Sequence, residues 1–139
     1  MTRLYLDSSV ALHVLLQQTP ILPTWGRWDV AFGSEILGVE ARRVLDRLRL
    51  DGAVSDAGLG KLQEQLAVIE QGISIVALTR GILQRASLPM ATPVRTLDAI
   101  HLASALVLRE RRAPDLVFAT HDGQQATSAR ALGFPILGV

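Results

Sequence analysis

Residues 93–112, PVRTLDAIHLASALVLRERR, carry helical spacing twice over. Leu97, Ile100, Ser104 and Leu108 make one stripe, and Ala99, Leu102, Ala103 and Leu106 make another. A helix that is apolar nearly all round belongs inside a domain rather than on its surface. Its first turn nevertheless holds Asp98, beside Thr96 as the expected N-cap. A helix start favours an anion by only about 0.3–1 kcal/mol, whereas a buried carboxylate costs several kcal/mol unless a positive charge meets it. Asp98 is therefore either a second capping residue or part of a charged site, and the positions of the other acids bear on the choice.

The chain of 139 residues is expected to form one domain, residues 1–139, large enough for a two- or three-layer core. Half of it is hydrophobic (49%) and 19% is charged, a balance that argues against disorder. With no cysteine, disulfides, thiolate zinc sites and cysteine nucleophiles are all excluded, and any metal must be held by oxygen or histidine. The start, MTRLYLDSSVALHVLLQQ, is interrupted by Asp7 and His13 and reads as neither a signal peptide nor a membrane span. A cytoplasmic protein without membrane association is the expectation. The net charge of +1 is too small to imply nucleic-acid binding by itself. Lys61 is the sole lysine among 14 basic residues, however, and arginine suits bidentate contact with phosphate or carboxylate.

Taken in order, Leu4 to Leu6 read as a buried strand ending at Asp7, after which Ser8 and Ser9 cap a helix. Residues 19–27 form a connection that contains Trp25 and is followed by Trp28, and the two tryptophans are expected to pack on their own domain or on a partner. Val30 to Phe32 is a second strand, with Ser34 as the N-cap of a helix reaching Leu50 that places Glu40 within its apolar stripe. A second helix over 56–71 completes a hairpin. Ile73 to Leu78 is a third strand, and Thr79 caps a short helix through Ala86. Beyond the long helix, Leu116 to Ala119 is a fourth strand, residues 124–132 a helix closed by Gly133, and residues 135–137 a final strand. Apolar strands alternating with helices indicate an α/β domain with a mainly parallel sheet covered on both faces. Functional crevices in such folds open beyond the carboxyl ends of the strands.

Asp7 ends the first strand and Asp122 follows the fourth, so both belong to that edge, together with Asp98 at a helix start and Glu40 on an inward face. Each can be explained singly, Asp7 and Asp122 as helix caps and Glu40 as a stripe-edge residue reaching water. A common cause accounts for all four at once. Clustered carboxylates repel unless a cation joins them, and a hard divalent ion, Mg2+ or Mn2+, suits an all-oxygen set. Such a site favours phosphoryl chemistry, with metal-activated water attacking a phosphodiester. His101, one turn after Asp98, reads as a core or supporting hydrogen-bonding residue, and His13 as structural.

The segments LYLDSSVAL, SEILGVEARRVL, TLDAIHLASAL and FATHDGQQATSARALGFPIL resemble, in order and spacing, the four motif regions of PIN-domain ribonucleases of the VapC toxin type. The resemblance runs from Leu4 to Leu137. It implies a three-layer α/β/α PIN-like domain with about five strands, in which Asp7, Glu40, Asp98 and Asp122 hold one or two Mg2+ or Mn2+ ions and the enzyme hydrolyses RNA. It further implies that Ser8 and Thr120 support the first and last acids, that the protein forms a homodimer, and that its partner is an antitoxin protein. Two alternatives come from other classes. One is a PIN-like adaptor that binds RNA or protein without turnover. The other is phosphotransfer through an aspartyl phosphate on Asp7, against which the absence of a second acid in Asp7-Ser8-Ser9 already argues.

Overall fold

The computed structural model describes residues 1–139. Five strands, β1 (Arg3–Leu6), β2 (Val30–Ser34), β3 (Ser74–Val76), β4 (Val117–Ala119) and β5 (Ile136–Leu137), form one sheet in the order β3-β2-β1-β4-β5. Every pairing is parallel. The helices are α1 (Ser8–Leu16), α2 (Ile36–Leu50), α3 (Asp56–Gln71), α4 (Arg80–Ala86), α5 (Thr96–Arg111) and α6 (Gly123–Ala131).

Strand alternation divides the core in two. Tyr5, Phe32 and Phe118 point to one side and pack with Leu102, Ala105, Leu106 and Leu108 of α5 and Ala129 of α6. Leu4, Leu6, Ala31 and Ala119 point to the other, against Val10 and Ala11 of α1 and Leu37 of α2. The expected α/β/α layering follows directly, and α3 joins the second layer by packing Leu66 on Leu15, Ala41 and Leu45. Trp25 and Trp28 meet edge to face at 5.0 Å and rest on this same layer, so the Trp-bearing connection packs on its own domain.

Several boundaries differ from expectation for identifiable reasons. Leu97 is 46% exposed, because the first turn of α5 projects past the sheet, while nine other residues of that helix are buried. Arg95, not Thr96, occupies the N-cap of α5. Ser34 ends β2 instead of capping α2, which begins from Glu35, although its hydroxyl still accepts from the Ile36 amide at 3.2 Å. β3 shrinks to three residues at the sheet edge, where Ile75 has no covering layer and stays 46% exposed.

The strand order places the functional edge. From β1 the chain winds outward to β2 and β3, then returns across the sheet to β4 and β5. The direction reverses between β1 and β4, and the turns leaving these two strands diverge there to open a crevice. Asp7 leaves β1 and Asp122 lies three residues beyond β4.

Candidate active site

Asp7 is only 5% exposed and stands at the N-cap of α1, but its side chain caps none of that helix's backbone amides. Its Oδ2 instead accepts from Thr120 Oγ1 at 2.7 Å and from Ser9 Oγ at 2.8 Å. Thr120 is fully buried, and the same oxygen accepts from the Asp122 amide at 3.0 Å. One hydroxyl thus fixes Asp7 and the backbone of Asp122 relative to each other. The turn is held from behind by His121, whose Nδ1 donates to the Gly138 carbonyl at 2.8 Å. Gly138 has φ +101°, and a Cβ there would strike the Thr120 carbonyl, so only glycine lets the chain pass this close.

Asp122 is the N-cap of α6, its Oδ1 accepting from the Gln124 and Gln125 amides at 2.9 and 3.2 Å. Glu40 projects from α2, with Oε1 accepting from Ser8 Oγ at 2.6 Å and lying 2.7 Å from His101 Nε2. Ser8 therefore supports Glu40, and the neighbouring Ser9 takes the place beside Asp7 that the resemblance assigns to Ser8. Adjacent residues at a helix start point in different directions, which the linear motif does not convey.

Glu40, Asp98 and Asp122 line one cleft of about 480 Å³ with Arg95, Thr96, Leu97 and Gln124. Asp7 lies behind it, buried, and does not line it. Asp98 is pushed above the usual carboxylate range, first by burial and then by the negative charges of Asp7 and Asp122. Glu40 moves the other way. Burial would raise it, but hydrogen bonds from His101 and Ser8 and the charge of His101 bring it below its ordinary value. His101, 1% exposed, is raised despite burial, which alone would lower it, by the Glu40 hydrogen bond and the charges of Asp7, Glu40 and Asp98. The two opposite shifts share one cause, the hydrogen bond between His101 and Glu40.

The donor set fits a hard cation in two respects. All four acids offer oxygen, and the protein's side-chain and amide hydrogen bonds to three of them fall on one oxygen each: Oδ2 of Asp7, Oε1 of Glu40 and Oδ1 of Asp122. The second oxygen of each is left for another partner, and Asp98, raised first by burial and then by the charges of Asp7 and Asp122, sits where a cation would favour its ionised form. No three acid or imidazole groups converge tightly enough, as placed, to complete a ligand shell. Asp98 is only half-buried and has room to turn inward, while Asp122, held by the α6 amides, keeps its second oxygen toward the exposed side. His101 was legible only as a supporting residue; that it reaches Glu40, on the opposite layer, depends on long-range packing with no local signal.

Over 94% of its length the chain is 27% identical to Ribonuclease VapC47 of Mycobacterium tuberculosis, covering 93% of that protein. The chain is VapC-like. A chain in the crystal structure of VapBC2 from Rickettsia felis bound to a DNA fragment from its promoter superimposes with a TM-score of 0.62. That match covers 96% of both chains at 9% identity, and so speaks to the fold alone. No protein-family model matches the sequence. The VapC-like chain has no helix long and apolar enough to cross a membrane.

Proposed function

We propose that this VapC-like chain is a Mg2+- or Mn2+-dependent endoribonuclease, the toxin of a toxin–antitoxin pair. The observation that carries the reading is the cleft at the β1/β4 switch point, where Glu40, Asp98 and Asp122 line one opening in front of buried Asp7. The similarity to a VapC ribonuclease along almost the whole chain supports the same reading.

Asp7, Glu40, Asp98 and Asp122 would hold the ion. Once bound it supplies a water of lowered pKa and neutralises charge growing on the phosphate. The chain's own contribution is preorganisation. Thr120 and Ser9 fix Asp7, amides of α6 fix Asp122, and Ser8 with His101 fixes Glu40. His101 is buried with both ring nitrogens engaged, by Tyr5 and by Glu40 and Ser8, which leaves it no access to substrate as a general base. Arg95 at the cleft rim offers a guanidinium to an RNA phosphate.

A groove of about 720 Å³ adjoins the cleft and shares Arg95 and Thr96 with it. Its lining is chiefly aliphatic, including Leu83, Leu88, Met90, Val94 and Ile100, and it supports an antitoxin segment as the partner. The active form is a homodimer in the cytoplasm on this reading, checked by light scattering and cell fractionation.

The deciding experiment is cleavage of a broad RNA panel by folded, antitoxin-free protein. Cleavage is expected with Mg2+ or Mn2+ and is lost with chelator, in Asp7→Asn and in Asp98→Asn. An uncut panel with either ion refutes the nuclease reading. RNA bound without turnover, and bound unchanged by Asp7→Asn, favours the adaptor. The aspartyl-phosphate alternative requires a stable acyl-phosphate on Asp7, and its absence on phosphate-donor labelling excludes that reading.

A further inference from the structure

We infer that His101 is the positioning residue for Glu40, gripping one oxygen of that carboxylate from the opposite layer of the fold so that the other is presented to the cleft. The inference rests on the metal-dependent reading above and assigns a task within the same site.

The contacts form one continuous line. Tyr5 Oη lies 2.8 Å from His101 Nδ1, and His101 Nε2 lies 2.7 Å from Glu40 Oε1 and 2.9 Å from Ser8 Oγ. Ser8 gives its hydroxyl hydrogen to Glu40 Oε1. A carboxylate only accepts, so Nε2 must carry the hydrogen that faces Glu40, with the Ser8 oxygen as its second acceptor. The four members come from four elements: Tyr5 from β1, Ser8 from α1, Glu40 from α2 and His101 from α5. Since α2 packs on one face of the sheet and α5 on the other, the His101–Glu40 bond bridges the two layers beyond the carboxyl end of β1.

A core-filling role for this network would not account for its asymmetry. Both donors converge on Oε1, and Glu40 itself is a lining residue of the cleft, with its side chain 21% exposed. A partly exposed glutamate left to itself has several rotamers open to it, and ordering such a side chain costs conformational entropy. The buried imidazole, stacked edge-on to Tyr5 at 5.9 Å, removes that freedom before any ion arrives.

The test is a double-mutant cycle read out as Mn2+ affinity, measured from the free-ion electron paramagnetic resonance signal. His101→Leu is expected to weaken Mn2+ binding about tenfold or more, the range seen when partners behind a metal ligand are removed. His101→Gln, which keeps an N–H donor, recovers part of the loss. In a Glu40→Gln background the further change at His101 has no effect on affinity, because the residue it positions is already gone. Thermal unfolding of the metal-free variants runs alongside; should His101→Leu fail to fold, His101→Gln and Tyr5→Phe carry the cycle with smaller expected losses that again vanish in the Glu40→Gln background. Equal losses in both backgrounds, or unchanged affinity in every folded variant, overturn the positioning role while leaving the metal site standing. Wild-type protein that binds no Mn2+ overturns the metal reading and this inference with it.

Discussion

Replacing Thr120 by valine removes one hydroxyl and keeps the side-chain shape. That hydroxyl donates to Asp7 Oδ2 at 2.7 Å and accepts from the Asp122 amide at 3.0 Å, and the residue is fully buried. A hydrogen bond to a charged group contributes about 1.5–3 kcal/mol, and a stranded amide costs about 1–3 kcal/mol. Ser9 still holds Asp7 Oδ2, and the Asp122 amide is only part-buried, so the lower ends apply and the sum is about 2.5 kcal/mol. For a chain of this length each kcal/mol moves Tm by roughly 3–5 °C, which places Thr120→Val about 10 °C below wild type. Thr120→Ser keeps the hydroxyl and loses one buried methyl group, about 1 kcal/mol or roughly 4 °C. Differential scanning calorimetry of the metal-free proteins measures both. RNA cleavage should survive in the serine variant and fall sharply in the valine variant, where Asp7 and Asp122 lose their common anchor. If the valine variant melts within about 2 °C of the serine variant, the hydroxyl does not join the two acids as described.

Asp98→Asn should stabilise the metal-free protein at neutral pH while abolishing cleavage. Its folded pKa is raised, so the folded state binds protons more readily than the unfolded one, and its contribution to stability declines as pH climbs from the ordinary carboxylate range through the raised value. The advantage of the variant over wild type is therefore largest near pH 7 and disappears near pH 4, as Tm measured against pH in chelator will show; a variant less stable than wild type at pH 7 contradicts the charge crowding. Leu102→Ala, at a fully buried position of α5, should cost about 2–5 kcal/mol in urea unfolding, whereas Leu97→Ala on the same helix should change stability by less than about 0.5 kcal/mol. Mn2+ at a hundred times its Kd should raise wild-type stability by about 2.7 kcal/mol and leave Asp7→Asn unmoved, measured by thermal shift.

What the sequence disclosed followed the range of each interaction. Alternation of apolar strands with helices sufficed for the α/β class, and Ser55 and Thr79 cap α3 and α4 through bonds to amides three residues on, a relation visible locally. Asp7 and Asp122 were readable as strand-end acids because that property depends on a few neighbours. The position of β1 at the centre and the reversal between β1 and β4 were not readable, since strand order is settled by which helix covers which face. Leu97 misled for the same reason: helical periodicity gives the facing of a side chain but not how far the covering sheet extends. The exchange of partners between Ser8 and Ser9 turns on a rotation of one residue at a helix start. The link from His101 to Glu40 joins residues 61 positions apart and leaves no trace in spacing.

The central position of β1 also governs when the molecule becomes competent during synthesis. Leu4 pairs with Val117 and Leu6 with Ala119, so β1 waits for β4, synthesised long after it, to close its second side. Until then α5 and α6 have no finished sheet to cover, and Thr120 and Asp122 have not emerged to meet Asp7. Contacts of such long sequence separation form late. A nascent or prematurely terminated chain is consequently disarmed by its own topology, and the cell is exposed to the proposed nuclease only in its finished form.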